Sequence, residues 1–403
     1  MKIYFPFVRL YYFIYNYFYM KILVVSNKKS KRVSLIPNDV KKLTENKIEV
    51  VVLSNAGECC GFKNEDYIKA GAKIVQKLNE VVMKDVSIIS FVDFPENKKI
   101  FKYLTPNQLL WGFLYFVNNP KNLLSTLRSG FTSLAIETIN TNNVYEYFLP
   151  MEQIKGEYSI ILAANALANS ANGKGKFIGH IAEYKQIRTK VLILNYSYAG
   201  YYAAKAALAN GCDVVYLETD HTLAEETKND QLLNKLSHAY GSKFEVKEAT
   251  YENIKQEVLD TDVLITTNQL PTTKTPMRIT KEMIESMPKG GVFINLATET
   301  GFASNSEVKP TTVEKQSVSI SGINHIDMEN IHDIFPLSSS LIISELNTKN
   351  FSEIAKTKDI HATIATNEKY KNAIMTYRNC LTNKEIAISL HLKYTNIDTI
   401  KKV

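Results

Sequence analysis

The sequence predicts an α/β fold in which parallel β-sheets are covered by helices. Short β-branched runs alternate with helix-forming stretches along most of the chain, which is the order of a parallel sheet. Of the 403 residues 45% are hydrophobic, enough for the buried cores of two or three domains. This length and composition exclude intrinsic disorder and a single small module.

The first α/β region begins after Met20 and carries four predicted strands. Pro37 suits the first turn of a helix between the first two strands, and each later strand follows a loop or a short helix. Connections of this kind join parallel neighbours. In chain order the segments are KILVV (21–25, strand), PNDVKKLTEN (37–46, helix), IEVVVLS (48–54, strand), NEDYIKAGAKIV (64–75, helix then strand) and VSIISFVD (86–93, strand).

A second α/β region starts near residue 189, after an alanine-rich helix predicted over 149–171. The tail from Asn347 onward is polar and predicted to be mostly helical, and it suits a return to the first domain. The segments of the second region are TKVLIL (189–194, strand), YYAAKAALANG (201–211, helix), DVVYLE (213–218, strand), LDTDVLITT (259–267, strand), TKEMIESM (280–287, helix) and GGVFINLA (290–297, strand).

Charge, cysteine content and hydropathy exclude several classes of protein. The net charge of +7 is scattered rather than clustered, so no nucleic-acid surface is expected. The four cysteines fit neither a disulfide framework nor a zinc site, which indicates reduced thiols and a cytoplasmic location. Residues 1–19 are rich in aromatics, and we expect an artefactual or disordered extension with the true start at Met20. No other segment has the apolar length of a membrane span.

The turn after the strand 189–194 has the position of a dinucleotide-binding loop. Such a loop needs backbone amides facing a pyrophosphate at a helix N-terminus, and the glycines of G-x-G-x-x-G permit it. Here the turn reads NYSYAG: Gly200 is present, Asn195 tolerates the positive φ of the first position, and Ser197 places a side chain where phosphates would lie. Its hydroxyl would bond a phosphate or obstruct it. Glu218 ends the next strand, where an acid that binds a ribose is expected.

Seven segments, taken in order, resemble the alanine dehydrogenase family and its relative, the NAD-binding alpha subunit of proton-translocating transhydrogenase. The resemblance covers nearly everything after Met20, and the loop after Ile139 is more like that of alanine dehydrogenase. The segments are KKSKRVSLIPNDVKKL (28–43), NAGECCGFKNEDYIKAGAKIV (55–75), LAIETI (134–139), LPMEQIKGEY (149–158), TTNQLPTTKTPMRIT (266–280), INLATETG (294–301) and YRNCLTNKEIAISLHLKY (377–394).

The resemblance implies two Rossmann-like domains with parallel sheets, the second inserted in a discontinuous first. Residues 20–146 and 331–403 would form the substrate domain, and residues 147–330 the NAD-binding domain. It also implies a homo-oligomer that acts on a small-molecule substrate.

Alanine dehydrogenase chemistry is the reductive amination of pyruvate by NADH, and it needs a cation for the carboxylate and a group that handles the carbonyl proton. By resemblance, Arg32 stands at the carboxylate-binding position, where its planar fork suits such an anion. A solvated arginine among neighbouring lysines is the alternative. Met151 and Asn324 match positions that line the substrate pocket, and their alternatives are a core methionine and a turn asparagine.

Three further positions depart from the family pattern. Asp93 stands where the family has a lysine, and a carboxylate does not hold a substrate carboxylate. Tyr115 stands where it has a histidine, and a phenol with a pKa near 10 is a poor proton shuttle at neutral pH. Glu299 replaces the catalytic aspartate with a longer stem. His325 is a less favoured substitute shuttle, and His180 is expected to be structural or exposed; no metal site is expected.

Three functions remain open from the sequence. The first is an NAD-dependent oxidoreductase of alanine dehydrogenase type, acting on L-alanine, pyruvate or a related 2-oxo acid with a degenerate active site. The second is the NAD(H)-binding part of a transhydrogenase, which needs no substrate acid or base and would have membrane subunits as partners. The third is a catalytically silent family member that acts as a binding or structural protein.

Overall fold

The computed structural model shows two compact units, one of which is discontinuous in sequence. Unit 1 consists of Met1–Phe148 and Phe335–Val403, and unit 2 of Leu149–Ile334. The roles expected of the domains, substrate binding and NAD binding, stay predictions. Residues 1–19 lie outside the described residues. The structure describes residues 20–26, 30–95, 103–142, 144–180, 187–218, 228–267, 279–296, 311, 316–327, 331–357 and 359–400.

The strands form two large sheets and one small ribbon. In chain order they are β1 (Lys21–Val24), β2 (Glu49–Leu53), β3 (Lys73–Val75), β4 (Ile88–Asp93), β5 (Leu109–Phe113), β6 (Thr132–Ala135), β7 (Asn140–Thr141), β8 (Val144–Tyr145), β9 (Lys190–Leu194), β10 (Asp213–Glu218), β11 (Phe244–Glu248), β12 (Val263–Thr266), β13 (Val292–Asn295), β14 (Val318–Ile320), β15 (Ile323–Asp327), β16 (Ile374–Tyr377) and β17 (Cys380–Leu381).

The helices include two long ones. In chain order the α-helices are α1 (Pro37–Glu45), α2 (Asn64–Lys69), α3 (Glu80–Met83), α4 (Pro120–Ser129), α5 (Phe148–Leu167), α6 (Tyr198–Ala209), α7 (Lys228–Tyr240), α8 (Tyr251–Glu257), α9 (Lys281–Glu285), α10 (Pro336–Ile354), α11 (Ile360–Thr366), α12 (Glu368–Lys371) and α13 (Lys384–Ser389). Among the described residues, no helix is both long enough and apolar enough to cross a membrane.

Both large sheets have a doubly wound, mostly parallel core. The sheet of unit 1 has the order β17-β16-β6-β5-β4-β1-β2-β3, and that of unit 2 has the order β11-β10-β9-β12-β13-β15-β14. If the six parallel strands of each sheet are counted along the chain, they lie side by side in the order 3-2-1-4-5-6. The chain connections therefore reverse direction between the first and fourth of these strands, which are β1 and β4 in unit 1 and β9 and β12 in unit 2. Ligands of such sheets bind outside the carboxyl ends of the strands at this reversal. The predicted α/β fold with parallel sheets is confirmed.

The tail from Asn347 onward was predicted to be mostly helical, and the structure differs from this prediction. Two strands, β16 and β17, follow its helices, and β16 pairs antiparallel with β6. The buried segment IMTY of β16 is fully apolar apart from Thr376, whose hydroxyl is bonded to Ser133 at 2.7 Å. Because this partner lies far away in the sequence, local helical periodicity carried no sign of the strand.

Candidate functional site

Arg32 and Asp93 meet at the reversal point of the unit 1 sheet. Asp93 is the last residue of β4, and Arg32 lies in the loop after β1, its neighbour in the sheet. Arg32 Nη2 donates to both carboxylate oxygens of Asp93, at 3.1 Å and 2.9 Å. The Arg32 side chain is 4% exposed and that of Asp93 23% exposed. The proposed carboxylate-binding arginine therefore already has a carboxylate partner within its own chain.

Helix α10 holds the loop that carries Arg32. Ser340 Oγ accepts from the backbone N–H of Val33, and Ser344 Oγ accepts from that of Ile36, both at 2.9 Å. One turn further, Asn347 Nδ2 donates to the carbonyl of Ser34 at 2.8 Å. Residues spaced by four and then three lie on one face of a helix, so the polar face of α10 satisfies the buried backbone of this loop.

Tyr115 follows β5 at the same edge, in a left-handed backbone conformation with a φ of 41°. Its ring stacks on Phe113, with centroids 5.5 Å apart and planes 6° apart. The guanidinium of Arg32 lies 6.0 Å from the centroid of the same Phe113 ring. The structure therefore brings Arg32, Asp93 and Tyr115 to one edge of the sheet, and their roles in substrate binding stay a prediction.

Glu137 completes this edge and was not singled out from the sequence. It follows β6, is 3% exposed, and accepts from the backbone N–H of Tyr115 at 2.8 Å and of Leu114 at 3.2 Å. Burial raises the pKa of its carboxyl to about 7, with a further upward contribution from the charge of Asp93, against the backbone hydrogen bonds that lower it. The usable signal was an acid directly after a buried strand, within the segment LAIETI.

In unit 2 the turn after β9 lies at the reversal point between β9 and β12. Asn195 has a φ of 73°, the left-handed conformation expected of it. Its carbonyl accepts from Tyr216 Oη at 3.1 Å and from Thr267 Oγ1 at 2.7 Å. Its side chain is 0% exposed, and neither polar atom of the amide has a partner among the described residues.

The first turn of α6 is closed by Ser197. Its Oγ accepts from the backbone N–H of Gly200 at 2.9 Å, which makes Ser197 the N-cap. The hydroxyl oxygen of Ser197 therefore binds a backbone N–H that a phosphate would otherwise use. A hydrogen bond from this hydroxyl to a phosphate is not preformed. Gly200 has no room for a side chain, because a Cβ there would lie 2.3 Å from Tyr216 Oη.

Burial keeps the phenols around this turn neutral. It raises the pKa of Tyr196, Tyr198 and Tyr216 above the ordinary value of 10.0, and Tyr196 Oη has no partner among the described residues. Glu218 ends β10 at the same edge and is 5% exposed, the placement expected of a ribose-binding acid.

The remaining candidates are placed as follows. Met151 is buried in α5. The Asn324 amide donates to the carbonyls of Ala166 and Ala171 at 2.8 Å and 3.1 Å, so its visible role is to close the end of α5. Glu299 lies outside the described residues. Among the described residues no group of at least three His, Cys, Asp or Glu side chains is arranged to hold a metal.

The two histidines that were considered as substitutes are not at either sheet edge described above. His325 lies within β15, packs edge-on against Phe293 at 5.4 Å, and has its pKa lowered by burial. His180 Nε2 is bonded to the carbonyl of Ala209 at 3.0 Å, at the end of α6. The prediction that His180 is structural or exposed is confirmed.

Comparison with known proteins agrees with the fold. The family model "Alanine dehydrogenase/PNT, N-terminal domain" matches residues 24–155, and "Alanine dehydrogenase/PNT, C-terminal domain" matches residues 159–384. Alanine dehydrogenase 1 of Staphylococcus aureus (strain MRSA252) is 29% identical over 368 residues, which cover 91% of this chain and 95% of that protein.

Two solved structures share the fold. An L-alanine dehydrogenase superposes with a TM-score of 0.75 at 22% identity, covering 92% of this chain and 99% of its own. A transhydrogenase from Sinorhizobium meliloti superposes with a TM-score of 0.69 at 16% identity, covering 90% and 100%. With matching models for both of its domains, the chain belongs to the alanine dehydrogenase/PNT family.

Proposed function

We propose that this protein is an NAD(H)-dependent oxidoreductase whose substrate site differs from that of alanine dehydrogenase. The observation that carries the proposal is the turn at the reversal point of the unit 2 sheet. Asn195 supplies its left-handed residue, and α6 begins directly after its cap. The turn also contains buried polar atoms that lack partners among the described residues.

The residues of this turn fit a dinucleotide. A buried amide group without a partner costs about 1–3 kcal/mol, and a phosphate or carboxamide would remove that cost at Asn195. The N-terminus of α6 favours negative charge. Gly200 keeps the helix close to β10, and Glu218 lies where a ribose would be bound. We infer that Ser197 must release the Gly200 amide, or donate its own proton, when the pyrophosphate binds.

When bound, NAD(H) would supply or accept the hydride, while the unit 1 residues would bind and orient the substrate. Arg32 would bind an anionic group of the substrate only after the carboxylate of Asp93 has moved away from the guanidinium. Tyr115 would donate a hydrogen bond through its phenol, in a turn that Glu137 fixes through two backbone amides. None of these groups is an ammonium or an imidazole, so we expect little turnover of L-alanine or pyruvate.

A specific observation favours a second candidate function. The bond between Arg32 Nη2 and Asp93 gives each charged group an ionic partner without a substrate, as expected of a protein that binds NAD(H) and does not process alanine. Such a protein would be a transhydrogenase component, with membrane subunits as partners, or a catalytically silent binding protein.

For the first candidate, the NAD(H)-dependent oxidoreductase, we propose a cytoplasmic homo-oligomer.

NADH titration of the full-length protein by calorimetry and fluorescence tests the proposal. We expect saturable binding, and no binding at millimolar NADH would refute both functions that need the cofactor. Alanine-dependent reduction of NAD by the wild type would show a competent parental site. If the wild type is inactive, Asp93→Lys combined with Tyr115→His should raise that activity, whereas an unchanged rate would contradict our account of the unit 1 edge.

A further inference from the structure

Unit 2 contains a buried ion pair that none of the roles above uses. Lys155 Nζ lies 2.5 Å from Glu152 Oε1, and the two side chains are 6% and 4% exposed. Both residues lie in α5, three positions apart, on neighbouring turns. Removing two charges from water is costly, and a buried pair is often no more stabilising than apolar residues of the same size. The presence of this pair therefore calls for a reason other than stability.

The residue that follows this pair in α5 packs against the start of α6. Gly156, the residue after Lys155, touches that helix with its backbone, since a Cβ there would lie 2.2 Å from the carbonyl oxygen of Ala199 and 2.9 Å from the backbone nitrogen of Ala203. Only a glycine allows α5 to approach α6 so closely. The residues at 152, 155, 156, 159 and 163 are all buried and follow helical spacing, so the ion pair belongs to the buried face of α5.

The two helices run in the same direction, which fixes the end at which the pair lies. α6 begins at the carboxyl edge of the sheet, after β9. The far end of α5 is bonded to Asn324 at the start of β15, the opposite edge. The near end is bonded through the carbonyl of Met151 to His332, which follows the end of β15. Glu152 and Lys155 precede the contact at Gly156, so they lie toward the carboxyl edge, where the Asn195 turn is found.

That turn shows one sign of a ligand that the chain itself does not satisfy, and one reason why a phosphate there would need a further donor. The Asn195 amide is fully buried without a partner among the described residues. Ser197 has taken the Gly200 amide, so a pyrophosphate would find fewer backbone donors than at a three-glycine turn. A lysine can replace such donors, because its ammonium binds phosphate as a point charge.

We propose that Lys155 binds a phosphate of the dinucleotide and that Glu152 holds the ammonium until the ligand arrives. This inference rests on the proposed binding of NAD(H) to unit 2. It assigns phosphate recognition in this chain to a side chain on α5, in addition to the backbone of the turn. The ligand class is therefore a nucleotide that carries phosphate, and adenosine alone would not engage Lys155.

Calorimetric titration of the full-length protein with NADH, ADP and adenosine tests the inference. Lys155→Met leaves Glu152 buried without its partner and is expected to destabilise the fold, so the main variant is Glu152→Gln with Lys155→Met. It should bind NADH and ADP about tenfold or more weakly, as the loss of a charge-assisted phosphate contact implies, and bind adenosine as the wild type does. Glu152→Gln alone removes the competing carboxylate and should tighten NADH binding.

Lys205→Met is the matched control, because Lys205 lies on the exposed side of α6; this variant should bind all three ligands as the wild type does. Unchanged affinity of the double variant for NADH and ADP would overturn the inference and leave the proposed function intact. An equal loss for adenosine would also overturn it, since the defect would then be structural. Failure of the wild type to bind any of the three would refute the proposed function instead.

Discussion

Replacing Asp93 by alanine should expose the anion site of Arg32 and make it bind a free carboxylate. The guanidinium donates to both oxygens of Asp93, and the arginine side chain is only 4% exposed. Removing one member of a fully buried pair costs about 3–5 kcal/mol. Because the Asp93 side chain is 23% exposed, water reaches the vacated space, and we expect a loss of about 2–4 kcal/mol in the free energy of unfolding.

Acetate should restore much of this loss in the variant and not in the wild type. A ligand at a hundred times its dissociation constant adds about 2.7 kcal/mol of stability, and acetate fits the space that the Asp93 carboxylate leaves. The assay is urea unfolding of both proteins in sodium acetate and in sodium chloride at equal ionic strength. Asp93→Asn is the matched control, since it keeps the shape and one acceptor oxygen.

Two results would refute this account of the unit 1 edge. If Asp93→Ala unfolds within about 0.5 kcal/mol of the wild type, the range of ordinary surface substitutions, the pair does not hold the arginine. If acetate stabilises the wild type as much as the variant, Arg32 is open to carboxylates in spite of Asp93. The latter result would restore pyruvate as a candidate substrate.

Three further predictions concern the supports of the two sheet edges. Burial raises the pKa of Glu137 from 4.5 to about 7, so between these pH values the native state keeps a proton that the unfolded chain loses. In urea titrations of the wild type, the free energy of unfolding should therefore fall between about pH 4.5 and 7, by up to ~3 kcal/mol. An equal fall of the free energy of unfolding with pH in Glu137→Gln would contradict this. Gly200→Ala should cost about 1–3 kcal/mol of stability because its Cβ would meet Tyr216 Oη at 2.3 Å, and should cost less in a Tyr216→Phe background; equal costs would exclude the clash. Asn347→Ala removes the oxygen that accepts a hydrogen bond from Trp111 Nε1 at 2.8 Å. The fluorescence emission of this single tryptophan should therefore shift, and the urea midpoint of unfolding should fall. No change in either measurement would show that the bond is dispensable.

The strands of both sheets were predictable wherever an apolar run is bounded by turn residues. DVVYLE (213–218) coincides with β10, and KILVV (21–25) exceeds β1 by one residue, because buried parallel strands need continuous apolar residues. The helix predicted over 149–171 is α5 followed by a single 3₁₀ turn. The strands of the tail were missed, since β16 depends on its pairing with β6, more than 200 residues earlier in the chain.

The placement of several candidate residues at the sheet edges was predictable, whereas their bonds were not. Asparagine tolerates the left-handed region, so the conformation of Asn195 followed from its place in the turn. The bond between Arg32 and Asp93 depends on β1 and β4 being neighbours, which requires the strand order as well as the strands. Glu137 carried a local signal, an acid after a buried strand, but its contact with the Tyr115 turn depends on β5 and β6 being neighbours in the sheet.

Substituted residues at the two sheet edges make specific contacts within the chain. This favours a site that has changed its ligand over a site that has lost its function. A site released from selection would retain Arg32 as a buried charge without a counter-ion, at a cost of several kcal/mol; here Asp93 binds it. The helix start that lacks a glycine at 197 is capped by Ser197 itself. Because the departures at Asp93 and Ser197 are each matched by a specific contact, we infer that the chain kept a binding function and changed its ligand, in preference to losing both.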